Sequence, residues 1–310
     1  MRKAVILNAS GNELANQLWN YASIYAYTLE RGLVLENPSF FEYGNYFTMP
    51  PPNIFFKLAF FLPFTDYTKR KQSFKRRLWR KFYRWYSKAI TYAHKTAVIT
   101  SDNKDKLPFY LAPTRENEKL SRLEQSADTI YFDGWLFRNP VGLQKYRKEI
   151  TEYFKPRTDI EKAAETTIKN LRETFKNIIG VHIRQGDYAT WRGGTYFIPQ
   201  TRVREIMDEY LAITDKNASE ACFVITSDGI IDTSLFNRLH ISVSRKNAAH
   251  DLLLLSKTDI IIGSNSTFGA FASYYGNRAY AVMQKGPMDW NYYKDKKNYF
   301  ENKYATFVYY

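Results

Sequence analysis

The chain has 310 residues, 45% of them apolar and 17% aromatic, which suits two ordinary domains or one large α/β domain with a sizeable core. Its single cysteine, Cys222, excludes an intrachain disulfide framework, and no run of about 18 apolar residues is present to span a membrane. The net charge of +14 points to an anionic partner, whether nucleic acid, acidic membrane or phosphorylated ligand, without choosing among them.

In chain order, "KAVILN" at 3–8 predicts a first strand. The opening stretch is too short in apolar residues for a signal peptide, and the lone cysteine fits a reducing compartment, so a cytoplasmic location is expected. A polar segment with Gly11 and Asn12 leads into a helix from about Glu13 to Arg31, closed by Gly32 as C-cap, and then the strand "LVLE". Leu14, Leu18, Tyr21, Ala22 and Tyr25 form its buried stripe. Asn16 and Gln17 open it, a pair that more often faces solvent.

Residues 37–65 break this pattern with "MPPPN" and the apolar run "IFFKLAFFLPF". Residues 69–88 then carry ten Lys or Arg and no acid, with Phe74, Leu78, Phe82 and Trp85 at helical spacing. The spacing predicts a basic amphipathic helix beside an apolar patch. Two readings stand: a surface that meets anionic lipid, or a solvated basic face over an ordinary core helix.

Strands are expected at 96–100 and 129–133, a helix near 139–154, and a linker with a helix over 155–176. From 178 onward strand and helix alternate regularly. The strands are "NIIGVHIR", "ACFVITS", "ISVS", "DIIIGS" and "AYAVMQ", and the helices lie near 200–213, 231–239, 247–257 and 267–275. Such alternation predicts a parallel sheet with ligands at the strand C-terminal ends. The expected architecture is α/β: two Rossmann-type domains, 1–155 and 156–310, facing each other across a cleft, with a basic insertion at 54–92.

Four constellations could carry chemistry. In "GVHIRQGDY", period two puts His182 and Arg184 on the face opposite Val181 and Ile183. An arginine ending a buried strand is costly unless it meets an anion or a local carboxylate such as Asp187. In "GSNST", Ser264, Asn265, Ser266 and Thr267 open a helix, as an anion site or as plain N-capping. "TSDG" ends a strand with Asp228, suited to a ribose hydroxyl, a base edge or a tight turn. The fourth is the polar loop and first turn with Gly11, Asn12 and Asn16. No D-x-D, H-x-x-x-H or cysteine cluster occurs, so no dedicated metal site is visible.

Taken together and in this order, these segments resemble the bacterial alpha-1,2-fucosyltransferases of glycosyltransferase family eleven, within a wider group that includes alpha-1,6- and protein O-fucosyltransferases. The family's H-x-R-R-x-D-Y stands here as His182 to Tyr188, with Gln185 at the second arginine. Its G-x-G-N-Q-(L/M)-x-x-Y-A signature stands as Gly11 to Ala22, with Ala15 replacing a glycine. Its third motif spans Asp251 to Ser256 and Ile262 to Phe268, and Thr226–Asp228 matches its S-x-D turn.

The resemblance implies a GT-B-like enzyme that transfers L-fucose from GDP-fucose with inversion and without a metal or other cofactor. It implies alpha-1,2 transfer to galactose on a glycan, in surface polysaccharide assembly. By this resemblance Arg184 binds the β-phosphate, Ser266 and Thr267 donate to the phosphates, with Ser264 and Asn265 beside them, and Asp228 meets the nucleoside. His182 lies beside the diphosphate or the fucose. Asp187 is either base or brace, and Asn16, Gly11 and Asn12 complete the nucleotide site. The acceptor is expected to be galactose-containing and, if lipid-linked, within reach of an enzyme resting on the inner face of the cytoplasmic membrane through 54–88. Rival readings are a transferase for another nucleotide sugar on the same fold and a basic nucleic-acid-binding protein. The motifs look built for one small dianion, so no nucleic acid is expected as partner.

Overall fold

The computed structural model describes residues 1–7, 13–49, 74–101, 107–111, 117–299 and 302–306. The chain divides into two units, one ending at Arg157 and the other beginning at Thr158.

The first unit is built on a four-stranded sheet. Its elements are β1 (Lys3–Ile6), α1 (Leu14–Arg31), β2 (Val34–Glu36), α2 (Phe74–Ala93), β3 (Val98–Thr100), β4 (Phe109–Tyr110), α3 (Glu118–Ser126), β5 (Thr129–Asp133) and β6 (Phe137–Arg138), then α4 (Pro140–Lys145) and α5 (Arg147–Tyr153). The strand order is β2-β1-β5-β3, all parallel, with β4 and β6 paired separately. Helix α1 ends where expected: Gly32 sits at φ 62, a left-handed turn that costs glycine nothing, and its N–H bonds Thr28 O. The helix is buried nearly all round. Gln17, expected toward solvent, is only 7% exposed, because packing covers most of the first turn, including Leu14 and Ala15 beside it.

Two expectations for this unit change. The single helix over 139–154 is two short helices that break at Tyr146. Asn139 caps the first by accepting from Gly142 N, with Pro140 at its start. The basic helix is present as α2, but the stripe read from its spacing is not the buried one. Phe74, Leu78, Phe82 and Trp85 are 71%, 56%, 36% and 69% exposed. The face that packs inward carries Trp79, Tyr83 and Tyr86 against Phe41. Ser87 Oγ donates to Leu7 O at 2.9 Å and Tyr83 OH to Ile6 O, while Arg80 pairs with buried Glu42. Aromatic and hydroxyl side chains win this face because the free carbonyls at the end of β1 accept from them. Residues 54–73 of the expected insertion lie outside the described residues.

The second unit follows the alternation closely. It comprises α6 (Thr158–Arg172), β7 (Asn177–Ile183), α7 (Gln200–Ile213), β8 (Ala221–Ser227), β9 (His240–Val243), α8 (Ala248–Ser256), β10 (Ile260–Gly263), α9 (Thr267–Gly276) and β11 (Ala279–Val282). The sheet is parallel in the order β11-β10-β7-β8-β9, with β7 at its centre. Period two distributes β7 across two cores. Ile179, Val181 and Ile183 pack with Val203, Ile206, Met207, Phe223 and Ile225. Ile178 packs on the other side with Cys222, Val224, Leu253 and Leu254. Cys222 is a buried strand residue, and burial pushes its thiol up to about 11.

The helix expected at 231–239 is a short 3-10 turn, Thr233–Phe236. Asp232 accepts from both Ser234 N–H and Ser234 Oγ, which favours a tight local turn over helix propagation.

Candidate functional site

The second unit places the motif residues at the C-terminal ends of β7, β8 and β10. His182 pairs in register with Thr226 on one side and Gly263 on the other. The side chain is 5% exposed, and its ring lies 4.9 Å from that of Phe268, on the first turn of α9. Nδ1 stands 3.3 Å from Thr226 Oγ1, and Nε2 is buried without a hydrogen-bond partner in the protein. Desolvation, and then the neighbouring Arg184 charge, lower its pKa from 6.5 to about 3. His182 is therefore neutral across the physiological range. In the tautomer where Nδ1 accepts from Thr226, Nε2 carries a hydrogen as a preorganised donor.

Arg184 follows β7 directly. Its backbone N–H donates to Ser264 Oγ at 3.0 Å, tying the end of β7 to the end of β10. Its guanidinium reaches Asp187 Oδ1 at 2.8 Å and Asp228 Oδ2 at 2.9 Å, and lies 5.3 Å from the centre of the Tyr188 ring. The two carboxylates differ in setting. Asp228 is 16% exposed and has both oxygens engaged, since Oδ1 also accepts from Gln185 N at 2.7 Å. The Asp187 side chain is 55% exposed.

Gly186 makes this packing possible: a Cβ there would stand 2.3 Å from Asp228 Oδ2. Gln185, at the second-arginine position of the motif that the sequence resembles, bonds Ile198 O through its own amide. Asp228, expected to meet a nucleoside, here braces Arg184 and the loop after β7. Nothing local linked the two, because 44 residues separate them and only the parallel pairing of β7 with β8 brings them together.

The "GSNST" turn is held from several sides. Ser264 is fully buried, and Tyr280 OH donates to its carbonyl. Tyr188 OH donates to Asn265 O at 2.9 Å, and Asn265 Nδ2 to Thr306 Oγ1 at 2.7 Å. Asn265 Oδ1 is buried without a partner in the protein. Ser266 caps α9 by accepting from Phe268 N at 3.2 Å, and Thr267 is the helix's first residue. N-capping is thus real for Ser266, and it leaves the positive end of α9 beside His182.

Of the N-terminal expectations, Asn16 sits in the first turn of α1 in the first unit, while Gly11 and Asn12 lie outside the described residues. Among the described residues, no group of three or more His, Cys, Asp or Glu side chains is arranged to hold a metal ion. No described helix is long and apolar enough to cross a membrane.

One further cluster at the same sheet end entered the sequence reading only as a motif. Asp251 is 6% exposed, accepts from Ser244 Oγ just after β9, and lies 3.3 Å from His250 Nδ1. The signal available was the acid opening "DLLLLS", and only the fold turned it toward the strand ends.

The acid-labile element of this site is His182. Its folded pKa lies below the unfolded value, so its contribution to stability is present above about pH 6.5 and is lost as pH falls toward 3. Denaturant unfolding at pH 7.5 and 4.5 is expected to show about 2–3 kcal/mol more acid destabilisation in the wild type than in a His182→Asn variant. Equal losses in the two proteins would mean that His182 is not desolvated.

Comparison with known proteins agrees with this architecture. No curated protein matches the chain by sequence. Among solved structures, similarity extends to a GDP complex of an Arabidopsis thaliana FUT1 mutant, with TM-score 0.53 and 12% identity over 93% of this chain and 72% of that one. It extends also to POFUT1 in complex with GDP-fucose, with TM-score 0.54 and 12% identity over 92% and 96%. NodZ alpha-1,6-fucosyltransferase soaked with GDP-fucose gives TM-score 0.50 and 16% identity over 89% and 93%. At these identities the likeness establishes the GT-B-like α/β fold. The model of the family described as "Glycosyl transferase family 11" matches residues 138–306, more than half of the chain and nearly all of the second unit with its His182–Arg184 and "GSNST" elements, and so the chain belongs to glycosyl transferase family 11.

Proposed function

We propose that this protein transfers L-fucose from GDP-fucose, with inversion and without a metal, to a galactose hydroxyl of a glycan, forming an alpha-1,2 linkage. The observation that carries the reading is the convergence of Arg184, the buried Nε2 edge of His182 and the N-terminus of α9 at adjacent strand ends. A nucleoside diphosphate leaving group needs charge compensation, and these three groups supply it from preorganised positions. The solved GDP and GDP-fucose complexes that share the fold support this donor.

Arg184 is already paired, so the phosphate must compete. Its bond to exposed Asp187 is the one a phosphate oxygen replaces, while the more buried Asp228 keeps the guanidinium aimed. Asp187, released, is then free to act near the acceptor hydroxyl or to remain a bystander. Ser266 and Thr267 meet the diphosphate at the positive end of α9. Asn16, Gly11 and Asn12 keep in this reading the nucleotide-binding role that the family resemblance implies for them.

The acceptor is a galactose-containing glycan of surface polysaccharide assembly. Where that acceptor is carried on lipid, the enzyme reaches it in the cytoplasm from the inner membrane face, to which 54–88 binds.

The test is incubation with labelled GDP-fucose and a panel of galactose-terminated acceptors, with and without EDTA. Linkage analysis of the product and a thermal shift with GDP against UDP complete it. Transfer insensitive to EDTA and stabilisation by GDP alone are expected. Stabilisation by UDP instead would assign another nucleotide sugar, and no transfer with no nucleotide binding would overturn the reading.

A further inference from the structure

Helix α2 is held to its unit by one face. Tyr83 and Ser87 donate to the carbonyls at the end of β1, Trp79, Tyr83 and Tyr86 pack with Phe41, and Arg80 pairs with Glu42. Elsewhere on its circumference Phe74, Leu78, Trp85 and Tyr92 are 71%, 56%, 69% and 89% exposed. At 3.6 residues per turn these four fall within an arc of about 40°, one apolar line along the helix. Arg77, Lys81, Arg84 and Lys88 are all exposed and occupy roughly the next 60° on a single side of that line. No Asp or Glu occurs anywhere in residues 74–93.

We propose that this face of α2 is a membrane-docking surface, lying in the interface of an anionic lipid bilayer. The apolar line enters the boundary between headgroups and acyl chains, and the row of cations meets lipid phosphates along one edge. Trp85 and Tyr92 bring rings with a polar tip, suited to that depth.

Charge complementarity selects this occupant. A second copy packed on the same face would set eight cations against each other with no acid on either helix to relieve them. A nucleic acid would need the cations at the centre of the contact, whereas here the centre is apolar. Because the exposed cations among the described side chains lie on one side of that line, the helix meets the bilayer tilted about its axis toward that side. The inference deepens the membrane part of the proposed function by naming the surface and its orientation. It stands apart from the transferred sugar, since its test contains no donor.

The test is co-sedimentation of the full chain with vesicles of phosphatidylcholine alone, and of phosphatidylcholine with phosphatidylglycerol in equal parts. The wild type is expected to bind the mixed vesicles and to be released by salt. Lys81→Gln with Lys88→Gln should weaken binding by roughly fivefold per cation removed. Phe74→Ser with Trp85→Ser should abolish it while leaving the thermal melt unchanged, since both side chains are exposed. Three results would overturn the proposal: wild type that stays in the supernatant, Ser variants that bind as tightly as wild type, or a lipid-free dimer or RNA complex lost in the same variants.

Discussion

Replacing Arg184 with alanine is expected to lower fucosyl transfer by about a thousandfold, the loss typical of removing one preorganised group from a developing anion. Asp228, Asp187 and, through its backbone, Ser264 are all tied to this residue. Removing the guanidinium leaves the largely buried Asp228 without its cation, so a fall of a few degrees in melting temperature should accompany the kinetic loss. Arg184→Lys separates the two effects. It keeps the charge but loses the fork that spans both carboxylates, so stability should recover more than rate.

Asp187→Asn is the companion variant. If Asp187 only occupies the guanidinium until phosphate arrives, the variant should bind GDP up to about fivefold more tightly, the worth of an exposed ion pair, with kcat nearly unchanged. A kcat lowered by about a hundredfold or more at saturating donor would instead make Asp187 the general base. Steady-state kinetics with separate measurement of GDP affinity decide between them, and normal transfer by Arg184→Ala would remove the phosphate role altogether.

The second large effect is expected from Gly186→Ala. The added methyl would stand 2.3 Å from Asp228 Oδ2, where no real Cβ can stay. Asp228 cannot swing aside cheaply, because its two oxygens hold Arg184 and the backbone of Gln185. The loop after β7 must move instead, and Arg184 moves with it. A displacement of about 1 Å at a positioning group costs on the order of a hundredfold in rate, and the overpacking itself about 1–3 kcal/mol. Transfer rate and denaturant midpoint measured on the same sample check both. A variant with wild-type rate would show that Arg184 does not need this loop geometry.

These two variants mark where sequence reading stopped. Arg184 and Asp187 lie three residues apart, so their pairing could be anticipated as a local clamp. Asp228 could not be joined to them, because its distance in sequence closes only when β8 lies beside β7. The same holds for Ser264, whose hydroxyl accepts from Arg184 N across 80 residues. Helix α2 shows the limit in another form. Two stripes on it have helical spacing, and periodicity alone cannot say which one has a partner. The carbonyls ending β1 decided for Tyr83 and Ser87, and the greasier stripe was left outside. The 3-10 turn at Thr233–Phe236 was misjudged for a related reason, since the Asp232 side chain overrode the apolar pattern.

By itself the sequence determined what depends on neighbours in the chain. Its buried runs became strands, its stripes became helices, Gly32 closed α1, and period two set His182 apart from Val181 and Ile183. It also placed the motif residues at strand ends, because a charge finishing an apolar run has nowhere else to go. Only the tertiary structure decided which of those ends lie side by side, and therefore that Arg184 is shared between two carboxylates, that the His182 imidazole is neutral, and that α2 turns its apolar line outward. Those outcomes depend on desolvation and on partners far away in sequence, and both exist only once the parallel sheets have formed.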